Sequence, residues 1–127
     1  MTNDKKSEIV IIKNILKNYG FTIKNQTCYK KKDDMVFVVF FQKRSDGVIN
    51  TNLGISLSLT ETNYSYKNCD IGYTYWSTSA QTTSEKSEEI IKWFEDRNDL
   101  DKISSLYKKN ILSDFVSEKA RFMLNNK

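Results

Sequence analysis

Between Val48 and Leu59 the chain alternates. Ile49, Leu53, Ile55, Leu57 and Leu59 share one parity, with Thr51 among them; Val48, Asn50, Asn52, Gly54, Ser56 and Ser58 share the other. Successive side chains of a strand point to opposite faces, so this pattern buries one face and leaves the other polar. A sheet of that kind needs the other elements packed on its apolar side.

The flanking segments fit such a sheet. Met35 to Gln42 is rich in Val and Phe and apolar on both parities, as a central strand is. A short strand over 27–32 precedes it, with Asp33-Asp34 as the turn, and Ser45-Asp46-Gly47 reads as the next hairpin. Residues 70–76 supply a fourth strand, after a polar stretch from Thr60 to Cys69 that reads as a loop or an irregular strand.

Helices bracket the strands. Ile9, Ile12, Ile15, Leu16 and Tyr19 form one apolar stripe over 4–19, and Gly20 stands where a left-handed residue ends a helix. Thr82 and Glu85 have capping-box spacing for a helix over 84–97 carrying Ile90, Ile91, Trp93 and Phe94. Asn98-Asp99 favours a break. Helices over 99–109 (Leu100, Ile103, Leu106, Tyr107) and 111–125 (Leu112, Phe115, Val116, Phe122, Met123) follow. The expected fold is α+β: one domain over 1–127, an antiparallel meander of three to four strands, with the N-terminal and C-terminal helices on one face.

Composition narrows the chemistry. Histidine is absent, which removes the usual general base near neutral pH and any Ser-His or Cys-His nucleophile pair. The two cysteines, Cys28 and Cys69, are too few for a disulfide scaffold and read as buried thiols. Glu85 and Glu89 share a helix face, where first-turn carboxylates also suit the helix dipole. No phosphate cradle or other cofactor motif is present, and the reading leans away from an enzyme. No apolar run approaches the roughly 20 residues of a membrane span. The opening residues run straight into a helix pattern without a secretory segment, so a cytoplasmic location is expected.

Gly20-Phe21, the strand ending Phe41-Gln42-Lys43, the Ser45/Gly47 turn and Asn52-Leu53-Gly54-Ile55 resemble the bacterial domain-of-unknown-function family 4304. There an N-terminal helix leads into a Gly-Phe pair. A strand then ends in Gln, a strand with Asn-x-Gly follows, and helices close the domain. The resemblance implies that fold and a bacterial origin. It implies no catalytic residue.

Three surfaces remain as candidates. Residues 1–44 carry ten Lys/Arg against four Asp/Glu, and residues 45–127 carry ten against twelve. The cations Lys24, Lys30, Lys31, Lys32, Lys43 and Arg44, with Tyr29 and Phe21 nearby, form a candidate patch for nucleic acid. Lysines on an edge strand also guard against edge-to-edge pairing. Tyr64, Tyr66, Tyr73, Tyr75 and Trp76 form a candidate protein interface, because Tyr and Trp bury large area while keeping a polar tip. The polar face with Gln42, Asn50, Asn52, Ser56 and Ser58 is expected to be solvated. The leading expectation is a non-enzymatic binding protein of the immunity or inhibitor type, acting on a protein partner. A homodimer is a further option, and nucleic-acid binding through the basic N-terminal third is the alternative.

Overall fold

A computed structural model describes residues 2–43, 45, 49–57, 65–75 and 81–126; for residues 2–7 it describes the backbone alone. Six strands form one antiparallel sheet whose spatial order is the chain order. They are β1 (Thr22–Lys24), β2 (Thr27–Lys32), β3 (Met35–Lys43), β4 (Ile49–Ser56), β5 (Ile71–Tyr75) and β6 (Phe115–Val116). Four helices accompany them: α1 (Thr2–Asn18), α2 (Thr83–Glu95), α3 (Leu100–Lys108) and α4 (Glu118–Asn125). One turn of 3-10 helix, Tyr66–Asn68, precedes β5.

Local chemistry sets these boundaries. Gly20 has φ +95°, and Phe21 and Gly20 donate to the carbonyls of Leu16 and Lys17, which closes α1 in a Schellman motif. Asn110, at φ +62°, closes α3 in the same way through Ile111 and Asn110. Asn25 and Asp33 take left-handed φ in the two short hairpin turns, which side chains of their kind tolerate. Thr82 and Glu85 complete the capping box of α2, Asp99 caps α3 and Ser117 caps α4.

The main core lies on the helix side of the sheet. Phe37, Val39 and Phe41 of β3, Leu53 and Ile55 of β4, Leu57 and Ile71 meet Ile12, Leu16, Ile90, Phe94, Ile103, Ala120 and Leu124. Phe94 stacks on Phe37 at 4.9 Å and tilts against Phe21 at 5.7 Å. The inward set of the β4 alternation is therefore the expected one, and the antiparallel α+β architecture is as read from the sequence.

Three details differ. The sheet has six strands, because two short edge strands, β1 and β6, flank the expected four. The helix expected over 111–125 is replaced by an extended stretch, then β6, then α4. Gly72 pairs with Phe115 and Ile71 with Val116, so Phe115 and Val116 belong to the sheet, and Ser117 restarts the helix. The polar face is also not simply solvated. Asn52 and Ser56 are buried, and Val36, Val38 and Cys69 form a second small core there with Tyr29 and Tyr66 against it. The apolar second face of β3 is the reason, since Val36 and Val38 need cover. The hairpin expected at Ser45-Asp46-Gly47 and the ends of the strand expected over 48–59 lie largely outside the described residues.

Candidate functional site

The five aromatic candidates do not share one surface among the described residues. Tyr66 lies on the second face of the sheet, half-buried over the glycine pair Gly54 and Gly72, which stand opposite each other in the ladder. Burial, with smaller contributions from Cys69 and Asp114, pushes its phenol pKa up. Tyr73 and Tyr75 lie on the main-core side. Tyr73 stacks on Trp93 at 5.6 Å. Tyr75 donates to Glu89 at 2.5 Å, and Gln81 donates to the other oxygen of that carboxylate at 2.6 Å. Burial and the Glu89 contact raise the Tyr75 phenol, while the Tyr75 and Gln81 hydrogen bonds hold the Glu89 carboxyl below its usual range. Tyr64 and Trp76 lie outside the described residues.

The basic residues are dispersed as well. Lys30 and Lys32 follow Cys28 on the core parity of β2, and Lys31 follows Tyr29 on the other. Lys30 donates to the Tyr19 carbonyl at 2.8 Å and so serves the end of α1. Lys32 sits 3.7 Å from Asp33. Lys43 pairs with Ile49 at the far end of β3, beyond the start of β2. At about 3.3 Å per residue it lies roughly 20 Å along the sheet from the Lys30 position. Lys24 is exposed on β1, and Arg44 lies outside the described residues.

A feature without a sequence signal stands at the junction of β5, α2 and the stretch after α3. Arg97 is buried, and its guanidinium donates to the carbonyls of Leu112 and Trp93 at 2.9 Å each and Ile111 at 3.4 Å. It also covers the Trp93 ring at 4.3 Å, so Arg97 and Tyr73 both pack against the indole. Burial lowers the Arg97 pKa from its ordinary value. Tyr73, Trp93, Ile111, Ser113 and Asp114 line a depression of about 290 Å³ beside this stack. With the guanidinium committed to backbone, that depression offers aromatic and aliphatic surface and a carboxylate rim. Asp114 accepts from the Thr74 amide at 3.0 Å.

Large apolar side chains are exposed at the same edge of the sheet. Ile111 is 59% exposed, Phe115 54% and Phe122 72%. Phe115 is in β6, Ile111 lies four residues before it, and Phe122 is on α4, whose inward side is taken by Ala120 and Leu124. On α1, Val10, Ile11 and Tyr19 are also exposed.

The thiols are structural. Burial pushes Cys28 up to about 11 and Cys69 up to about 12, opposed for Cys28 by Lys13 and reinforced for Cys69 by Asp70. Among the described residues no group of three His, Cys, Asp or Glu is placed to hold a metal ion, and no helix is long and apolar enough to cross a membrane. No protein-family model, curated protein or solved structure matches the chain.

Proposed function

We propose that this protein is a non-enzymatic binding protein of the immunity or inhibitor type, acting in the bacterial cytoplasm on a protein partner through the β6 edge of its sheet. The observation that carries the reading is the exposure of Phe122 together with Phe115 and Ile111. None has a polar tip, and apolar residues gathered at one place on a surface mark contact sites. The kinship to domain family 4304 belongs to this proposal and rests on the short motifs around Gly20, Gln42 and Gly54.

The test compares proteins captured from the native cell by the wild-type chain, by Phe115→Ser/Phe122→Ser and by Val10→Ser/Ile11→Ser. A partner held by the first and third but lost by the second is the expected result. Capture unchanged by Phe115→Ser/Phe122→Ser would defeat the reading.

A further inference from the structure

The strip from the end of α3 into α4 combines its apolar residues with unpaired positive charge. Lys108, Lys109, Lys119 and Arg121 are all exposed, and none makes an ion pair among the described residues. Lys119 and Phe122 are three residues apart on α4, so they are neighbours on its outer surface. Two carboxylates lie in the same strip. Asp114 is engaged with the Thr74 amide, and Glu118 is in the first turn of α4, where the helix dipole suits it.

We infer that the partner proposed above presents an acidic protein surface to this edge, with an apolar anchor flanked by carboxylates. The inference rests on the protein-binding reading and adds the partner's chemistry. Charge complementarity selects the occupant. A second copy docking the same strip by two-fold symmetry would set four cations against four. A nucleic-acid strand would have to pass the Asp114 carboxylate on the rim of the depression, and Glu118 beyond it. An acidic protein surface satisfies the cations and covers Ile111, Phe115 and Phe122 together.

The experiment pans a phage-displayed library of random linear peptides against the full chain, with Phe115→Ser/Phe122→Ser for counter-selection. Enriched peptides should combine an aromatic or aliphatic residue with Asp or Glu. Affinity for the best of them should fall about tenfold or more on Lys119→Glu/Arg121→Glu, and should weaken with added salt. It should also fall about tenfold on Phe122→Ser. All these positions are exposed, so unchanged thermal midpoints verify that the variants fold. Peptides without acidic bias, or indifferent to Lys119→Glu/Arg121→Glu but lost on Phe122→Ser, would overturn the inference and leave the protein-binding reading standing. No enrichment, or indifference to both sets of changes, would end both. Sedimentation showing a dimer abolished by Phe122→Ser would make a second copy the occupant. Binding of a thymidine homopolymer lost in Lys119→Glu/Arg121→Glu would make it nucleic acid. Either outcome overturns the inference.

Discussion

The phenol oxygen of Tyr66 closes on the bare Cα of Gly72: a methyl group there would sit 2.8 Å from that oxygen and 3.4 Å from the ring carbon that bears it. The cross-strand neighbour Gly54 is tighter, since a methyl group would meet the Cys69 sulfur at 2.7 Å, with Cys69 Cβ and the Tyr66 ring at 3.0 Å. Both strands have dispensed with a side chain so that one ring and one thiol can lie flat on the sheet.

Gly54→Ala is therefore expected to cost more than Gly72→Ala, within the roughly 1–3 kcal/mol typical of overpacking. At Gly72 the obstructing atom is the end of a side chain, whereas at Gly54 it is a Cβ. Tyr66→Phe should recover much of the Gly72→Ala loss and little of the Gly54→Ala loss. Denaturant unfolding of the single and double variants checks this; equal rescue at both glycines would contradict the packing described.

Asp70 joins three elements. It accepts from the Leu57 amide at 2.9 Å and from the Ser117 hydroxyl at 3.0 Å, and its own carbonyl accepts the Ser117 amide. Asp70→Ala strands a buried amide and should destabilise by about 2–3 kcal/mol. Asp70→Asn can keep its oxygen on Leu57 and turn its amide to Ser117, so it should cost less than half as much. Matching losses in chemical denaturation would show that charge, not acceptor geometry, is what matters.

The thiols give a pH dependence of known sign. Both are held protonated by burial, with folded values near 11 and 12 against an ordinary 9.0. The unfolded chain releases these protons first. Their contribution to stability is full below about pH 9 and is lost as pH rises toward the folded values. Cys28→Ala/Cys69→Ala should flatten the alkaline limb of stability between pH 9 and 11. A limb as steep as that of the wild type would mean that other groups carry it.

Arg97→Lys removes the planar fork that reaches the carbonyls of Trp93, Leu112 and Ile111. A loss of about 1–3 kcal/mol is expected, together with a change in tryptophan fluorescence as the cover of Trp93 is disturbed. An unaltered spectrum and midpoint would mean that the stack does not hold the segment after α3.

What the sequence disclosed was the structure written in local signals. The β4 alternation named its buried set. Gly20, the Thr82/Glu85 pair and Asp99 marked helix ends, because caps are short-range chemistry. β1 escaped because three residues carry no period. Phe115 and Val116 escaped for the opposite reason: with Leu112 they fall at helical spacing, and only pairing to distant β5 makes them a strand. Tyr66 sat in a polar stretch whose meaning depends on glycines 12 residues before it and six after it. Arg97 is buried by partners on another element, and a charged residue announces nothing of that kind in sequence. The aromatic and basic candidates were chosen by proximity in the chain, and strand parity then divided them between two faces.

Because the strands follow chain order, β1 to β5 can assemble by adding one neighbour at a time, at low loop-closure cost. β6 is different. It reaches β5 only after α2 and α3 have been passed, and the Asp70–Ser117 contact spans 47 residues. Such pairings are expected to form late in folding and to be released early in unfolding. The edge assigned to a partner is thus the place where the native state opens first. A bound partner would slow the loss of the fold as well as shift its equilibrium, so the lifetime of this chain in a cell is expected to be set by whether that partner is present.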